Sequence, residues 1–343
     1  MYKKDIKSML PDELEEYFIS IGEKSYRSKQ VFSRLHDGVS SFNEMTNLSI
    51  KLRNKLEKEF YITGPLLEEK LFSQKDGTVK YLWRLSDDTA VESVLMEYEH
   101  GLSICISTQI GCRMGCVFCA SGLDGFERNL TASEMLDQVI YTQKDIGKRI
   151  SNIVLMGIGE PLDNFDNVVR FLELIMHPFG VNIGARHITL STCGMTENID
   201  KLADYGIQLT LAISLHAPDD TTRIRLMPIA EKYKINDLIT SCKAYYKKTG
   251  RRVTYEYALI NGINDTLEHA LMLTGLLSNI GSHLNLMLLN EIPNIDLKPS
   301  STKRVEEFVQ YLKINNINYT IRRNLGSDIA ASCGLLRRRS KLR

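Results

Sequence analysis

At 343 residues the chain is long enough for a sizeable core and points to about two domains, or one barrel with an added piece. Apolar residues at 43% and charged residues at 25% exclude a disordered protein, and no apolar stretch reaches membrane-spanning length. A formal net charge of +1 excludes coating of nucleic acid by bulk charge. Seven cysteines, an odd number, argue against a disulfide framework and for metal or redox chemistry.

The start of the chain runs directly into the acidic stretch Leu10-Pro-Asp-Glu-Leu-Glu-Glu, with no secretory apolar region, so the protein is expected in the cytoplasm. Apolar and aromatic residues then recur at helical spacing, which predicts short helices over 12–21, 26–35 and 48–60 and a small helical N-terminal domain over 1–60. Over 61–97 the pattern changes to alternating runs such as Val79-Lys-Tyr-Leu-Trp-Arg-Leu and Ala90-Val-Glu-Ser-Val-Leu-Met, broken by Asp76-Gly77 and Asp87-Asp88. These predict strands joined by turns, a β-rich connector.

Next comes the most informative run, Cys112-Arg-Met-Gly-Cys116-Val-Phe-Cys119: three thiols in eight residues with no fourth. Three readings are open. The thiols could lie on one helix face as small buried hydrophobes, although Gly111 and Gly115 disfavour a regular helix. They could belong to a closed zinc site with Cys105 or His100 as fourth ligand. Or they could hold a metal or iron–sulfur cluster with one position left free for another ligand.

Beyond residue 98, short apolar runs alternate with amphipathic segments. Strands are predicted at 103–107, 152–156, 187–191, 208–214, 253–258, 284–289 and 319–322, and helices at 132–147, 165–176, 235–248, 267–279 and 302–314. The helix after the cysteine run opens with a capping box, Thr131-Ala-Ser-Glu134. About six βα units suit an α/β fold, a partial (β/α)6 TIM-like barrel over 98–330, followed by a C-terminal segment over 331–343. In such barrels functional groups gather at the C-terminal ends of the strands. The cysteine run follows the first strand, Gly157-Ile-Gly159-Glu160 the second, Ser191-Thr192 ends the third, Ser214-Leu215-His216 the fourth, and Asn290 follows the sixth.

Taken together, these motifs resemble a known family. Cys112-x3-Cys116-x2-Cys119 with Phe118 is similar to the radical S-adenosylmethionine signature. Further phrases resemble the RlmN-type RNA methyltransferases: Tyr26-Arg-Ser-Lys-Gln, Glu44-Met-Thr-Asn-Leu-Ser49, Cys105-Ile-Ser-Thr-Gln-Ile-Gly-Cys112, Arg128-Asn-Leu-Thr, Gly184-Ala-Arg-His-Ile-Thr, Ser214-Leu-His-Ala-Pro218 and Arg225-Leu-Met-Pro-Ile229. The resemblance implies a radical barrel enzyme that methylates carbon 2 of an adenine in 23S rRNA, tRNA or both. It implies a [4Fe-4S] cluster held by Cys112, Cys116 and Cys119, and S-adenosylmethionine contacted by Gly159, Glu160, Ser191, Ser214, Leu215, His216 and Asn290, with Leu215 and His216 acting in part through backbone. It further implies that Cys333 carries the methyl group, that Cys105 is the second thiol, helps remove the carbon 2 proton and closes a Cys105–Cys333 disulfide on product release, and that Glu92 is a proton acceptor. Read by itself, Glu92 is equally the exposed position of an alternating strand.

The implied partners are structured RNA, gripped by the N-terminal helices and the basic tail, and an electron donor such as flavodoxin or ferredoxin, with the enzyme a monomer off the membrane. Arg337, Arg338, Arg339, Lys341 and Arg343, with the smaller pairs Arg322-Arg323 and Arg251-Arg252, suit either phosphate contact or a solvated surface. Two alternatives to carbon 2 chemistry stand: the carbon 8 relative that confers antibiotic resistance, and a non-catalytic RNA-binding protein braced by a metal. Pro161 and the Ala217-Pro218 pair favour the carbon 2 type. Ala330, Leu335 and Ala230 depart from the family phrase, where Asp, Gln and Asn are usual, and Cys193 and Cys242 read as structural.

Overall fold

The computed structural model describes residues 3–278, 281–293 and 295–336. The basic residues of the tail, Arg337 to Arg343, lie outside the described residues.

Three helices come first, α1 (Pro11–Ser20), α2 (Tyr26–His36) and α3 (Ile50–Glu59). Pro11 opens α1 where its missing N–H costs nothing, and the Glu13 carboxylate accepts from the Leu10 N–H at 2.7 Å. Ser49 caps α3 by accepting from the Leu52 N–H. Each helix buries one stripe: Leu14 and Phe18; Val31, Phe32 and Leu35; Leu52 and Leu56. The group docks on the rest of the molecule through a fully buried pair, the Lys7 Nζ at 2.6 Å from Asp137, and through Arg170 and Glu13 at 2.9 Å.

Among the described residues ten strands form one continuous sheet, side by side in chain order: β1 (Leu66–Phe72), β2 (Val79–Arg84), β3 (Ala90–Tyr98), β4 (Gly101–Cys105), β5 (Asn152–Leu155), β6 (Ile188–Thr192), β7 (Thr210–Ser214), β8 (Thr254–Leu259), β9 (His283–Leu288) and β10 (Tyr319–Ile321). Neighbours from β1 to β4 are antiparallel, and those from β4 to β10 are parallel. The parallel strands are joined by α4 (Ala132–Ile146), α5 (Phe165–Met176), α6 (Thr196–Asp204), α7 (Asp220–Leu226) with α8 (Ile235–Thr249), α9 (Leu267–Leu277) and α10 (Thr302–Ile314). The α4 capping box is present, with Thr131 Oγ1 accepting from the Glu134 N–H and Glu134 accepting from the Thr131 N–H at 2.9 Å.

The strand period of two divides the sheet's faces. Ile104, Ile153, Leu190, Leu211, Ile213, Tyr255, Tyr257, Leu284 and Leu286 pack against the helices in the main core. Residues offset by one, including Cys105, Val154, Ser191, Ser214 and Glu256, face the other way. The six expected βα units are found, but two details differ. The strands of 61–97 do not stand apart as a connector, because β3 pairs with β4 from Val94↔Cys105 to Tyr98↔Gly101 and extends the barrel sheet. Helices α6 and α7 have no counterpart among the predicted helices. They are only nine and seven residues long, and α7, Asp-Thr-Thr-Arg-Ile-Arg-Leu, carries no apolar stripe.

Candidate active site

The cysteine loop leaves β4 and is shaped by glycine. Gly111 has φ 74°, and a Cβ there would stand 1.8 Å from the Gly125 carbonyl, so the loop closes on itself only with glycine at this position. The Val117 N–H donates to the Leu226 carbonyl and the Cys119 N–H to the Cys116 carbonyl. The three thiols thus lie on an irregular turn, which removes the reading of one helix face. Cys112, Cys116 and Cys119 line one cavity that opens to solvent.

The wall of that cavity comes from the C-terminal ends of β5 to β10: Leu155, Ser191, Ser214, Ala258, Met287 and, just past β10, Arg322. One cavity can touch six successive strand ends only if the sheet curls around it, as a partial barrel does. Gly159, Glu160, His216, Asn290 and Cys333 line it as well. Gly159 has φ 106°, and a Cβ there would strike Gln109, whose Oε1 accepts from the Glu160 N–H at 2.9 Å. Glu160 is buried, and its two oxygens accept from the Cys193 N–H at 2.7 Å and the Leu162 N–H at 3.0 Å. Burial raises its pKa despite those donors. Ser191 and Ser214 place their hydroxyls 3.4 Å apart.

His216 sits at φ 55°, a left-handed backbone unusual for a non-glycine residue, fixed by Asn264 donating to its carbonyl at 2.7 Å. Its Nδ1 accepts from the Ala258 N–H at 3.0 Å, which leaves the proton on Nε2, and burial pushes its pKa down to about 3. The ring is therefore neutral, and Phe118 packs edge-on against it with centroids 4.6 Å apart. Leu215 is different. Its side chain belongs to the main core, its N–H donates to Glu256, and its carbonyl accepts from Ala217 and Arg223. Its side chain does not line the cavity, which leaves its backbone, between Ser214 and His216, for the contact expected of it.

Cys333 lines the cavity, and Cys105, at the end of β4, lies near it without lining the cavity itself. Cys105 packs with Val94, Ile158, Ala331 and Leu336, so the C-terminal segment lies against the strand that carries it. Burial, then the neighbouring Cys333, pushes the Cys105 thiol up to about 12. Cys333 is exposed. Its carbonyl accepts from Asn290 Nδ2 at 2.9 Å, and the next carbonyl, of Gly334, accepts from the Ala120 N–H at 2.7 Å, immediately after the last cysteine of the loop. Glu92 proves to be buried rather than on an exposed strand face, with Lys80 Nζ 3.2 Å from its carboxylate.

Two further residues complete the site without any signal in the spacing of the sequence. Arg223, fully buried, donates to the carbonyls of Tyr233 at 3.0 Å, Leu215 at 3.2 Å, Ser214 at 3.3 Å and Cys193 at 2.5 Å, lashing together the ends of β6 and β7. Arg322, grouped in sequence with Arg323 as either a phosphate contact or a solvated surface pair, instead turns into the barrel. It reaches Glu256 at 3.3 Å, and the Cys333 sulfur, then Glu256, raise its pKa against burial. Cys193 lines the cavity with its thiol 3.6 Å from the Met114 sulfur, while Cys242 is buried in the main core.

The donor set suits a thiolate-bound cluster. Met114, Cys193, Leu226, Met227, Ile260 and Leu289 form an apolar shell against Cys112, Cys116 and Phe118. That burial pushes the Cys112 thiol up to about 12 and raises Cys116 and Cys119 also, so cations at this site would displace protons to gain thiolate ligands.

Comparison with known proteins agrees with this geometry. The family model of the radical SAM superfamily matches residues 106–273, and that of the ribosomal RNA large subunit methyltransferase N-terminal domain matches residues 4–62. A probable dual-specificity RNA methyltransferase RlmN of Alkaliphilus oremlandii is 51% identical over 339 residues, 99% of each chain. The chain belongs to the RlmN family of radical SAM RNA methyltransferases. An RlmN relative from Clostridium botulinum (strain Okra / Type B1) is 51% identical over 328 residues, 95% of this chain and 96% of that one. A radical SAM methyltransferase from Sphaerobacter thermophilus has the same fold, with a TM-score of 0.91 at 38% identity over 97% of this chain and 98% of the other. RlmN membership carries with it S-adenosylmethionine and a four-iron cluster as cofactors. No helix among the described residues is long and apolar enough to cross a membrane.

Proposed function

We propose that this enzyme methylates carbon 2 of an adenine in RNA, in 23S rRNA, tRNA or both, with Cys333 as methyl carrier and Cys105 as its partner thiol. The observation that supports this reading is that Cys333 lines one cavity with the cysteine loop, while Cys105, buried behind the Cys333 segment, lies close enough to feel the charge of Cys333. An aromatic adenine carbon is too poor a nucleophile to attack a sulfonium methyl, so alignment of two reactants cannot suffice.

Cys112, Cys116 and Cys119 would hold the cluster, and Gly159, Glu160, Ser191, Ser214, His216 and Asn290 would hold S-adenosylmethionine. When bound, that pair supplies the one-electron chemistry that removes hydrogen from an unactivated methyl group. An electron carrier such as flavodoxin or ferredoxin would feed it, and the enzyme would work as a monomer. The chain's own residues do the rest. Buried Glu160, with both oxygens already held by backbone N–H groups, offers a fixed negative end for an amino group. Neutral His216 offers a donor at Nε2. Cys333, exposed beside the loop, presents the carried methyl group to the base.

Release needs Cys105. Its thiolate would attack the Cys333 sulfur, forming the S–S bond as the carbon–sulfur bond breaks; that electron pair stays on the base's exocyclic carbon, which takes up a proton to become the methyl group after carbon 2 has given up its own. Burial keeps Cys105 protonated at neutral pH, so its proton must first be taken, and buried Glu92 on the neighbouring strand is the candidate acceptor. The N-terminal helices would grip the RNA backbone through Arg27, Lys29, Lys51, Arg53 and Lys55, and the target base would be splayed out to reach the cavity.

Nucleoside mass spectrometry of rRNA and tRNA from a deletion strain tests the reading. Loss of 2-methyladenosine is expected, restored by the intact chain and not by Cys333→Ala, which keeps its iron. Loss of 8-methyladenosine instead would assign carbon 8 chemistry, and unchanged RNA would overturn both.

A further inference from the structure

We propose that the turn between β1 and β2, with the first residues of β2, is a latch on the Cys333 segment, in which Ser73 and Asp76 of the turn and Lys80 of β2 are positioning residues that set how readily Cys333 meets Cys105. The inference rests on the pairing of those two thiols proposed above.

The segment that carries Cys333 has little structure of its own. Between Gly326 and Gly334 it holds one three-residue turn, Ser327–Ile329, and three left-handed residues: Gly326 at φ 65°, Ala330 at 50° and Gly334 at 80°. Ala330 adopts that backbone with a Cβ, a conformation that persists only where neighbours hold it. The β1–β2 turn supplies the hold, and the contact is reciprocal. Asp76 accepts from the Gly326 N–H at 2.9 Å. Asp328 accepts in return from the Gln74 N–H at 2.9 Å and from the Ser73 hydroxyl at 2.7 Å. Each side thus offers a carboxylate to the other's backbone, the stronger class of hydrogen bond.

The third strut reaches further in. Lys80 Nζ donates to the Ala330 carbonyl at 3.1 Å while lying 3.2 Å from Glu92, so one buried ammonium ties the strained residue to the candidate proton acceptor. A Cβ on Gly326 would meet Thr78 at 2.9 Å and Ala331 at 2.7 Å, so the latch is also closely packed. With the far end held by Asn290 and Ala120, the segment is fixed on both sides of Cys333, while the thiol itself stays exposed. Fixing two reacting groups at one distance raises their effective concentration.

The test is thiol–disulfide exchange in the anaerobically reconstituted full-length protein with a glutathione redox buffer. The Cys333 thiolate attacks oxidised glutathione and releases one glutathione. The Cys105 thiolate then attacks Cys333 and releases the second, so two protein thiols lose two electrons and two protons to one oxidised glutathione. Peptide mapping reads the Cys105–Cys333 disulfide and, separately, the rate at which iodoacetamide alkylates Cys333.

Asp76→Ala and Lys80→Met are expected to lower the exchange constant roughly tenfold, the scale of a lost charged hydrogen bond, and to speed Cys333 alkylation. Asp76→Asn, which keeps a carbonyl acceptor, should recover most of the loss. Asp88→Ala, on the exposed β2–β3 turn, should match the native chain. Should Asp76→Ala fail to fold, Ser73→Ala carries the comparison. Folded Asp76→Ala or Ser73→Ala protein with the native exchange constant and alkylation rate would overturn the latch. Mass spectrometry for S-methylation of Cys333 keeps the two ideas apart: altered exchange in a chain that never carries a methyl retains the latch and removes the carrier.

Discussion

Arg223 shows how much of the site hangs on a residue that touches none of the reacting groups proposed for it. Its hydrogen bonds run to four main-chain carbonyls at the ends of β6 and β7 and beyond α7, and its charge lies near the sulfurs of half-buried Cys116 and buried Cys193. Removing the guanidinium leaves those acceptors buried and unmatched. Arg223→Met should therefore cost about 3 kcal/mol or more in urea unfolding, and Arg223→Lys, which cannot span four carbonyls, most of that amount. Gly111 makes a different demand, for room. Gly111→Ala should leave the far-UV circular dichroism spectrum unchanged and lower the iron retained per chain after anaerobic reconstitution, because the added Cβ must displace the Gly125 carbonyl from the loop. Neither role was legible in the sequence. Arg223 stands between Thr222 and Ile224 on a helix with no apolar stripe, and Gly111 reads only as a helix breaker until its partner across the loop is known. The gathering of the three loop thiols on one cavity, by contrast, is legible in their spacing, three within eight residues.

At the scale of elements, periodicity carried most of the reading. Every parallel strand was marked by apolar residues that alternate or run together, and all five predicted barrel helices appear within two residues of their expected ends. What periodicity could not give is how β1–β3 join the sheet, since an antiparallel hairpin looks the same whether it stands alone or pairs onward through Tyr98↔Gly101. Nor could it give the docking of the N-terminal helices, which depends on Lys7, one cation among many until it meets Asp137. That pair is almost wholly buried, and Lys7 also donates to the Thr63 carbonyl at 2.7 Å. Taking away one partner strands the other charge in the interior. Lys7→Met should destabilise the chain by about 3–5 kcal/mol, and Lys7→Met combined with Asp137→Leu should restore most of it. A single variant that unfolds no more easily than the native chain would show that the helices dock without the pair.

For the molecule as a whole, buried titrating groups on both sides of neutrality set a plateau of stability. Burial pushes His36 and His216 from 6.5 down to about 3, so between those values the unfolded chain binds protons that the folded chain refuses. Stability must then rise with pH over that interval and level off above 6.5. Each histidine contributes a slope of up to about 1.4 kcal/mol per pH unit. His36→Asn should remove one share of that slope, since an amide oxygen can take the place of the Nδ1 that accepts from the Val181 N–H at 3.3 Å. At the alkaline end the sign reverses. Burial pushes Cys105, Cys112 and Cys242 from 9.0 up to about 12, so above 9 the unfolded chain releases protons that the folded chain keeps, and the iron-free protein should lose stability as pH rises. Iron bound by Cys112, Cys116 and Cys119 would hold those thiols deprotonated in the folded state and remove their part of the alkaline loss. Urea unfolding of iron-free and reconstituted protein between pH 8 and 10, under anaerobic conditions, should therefore give a shallower alkaline decline with iron; parallel declines would mean that the loop thiols are not the ligands.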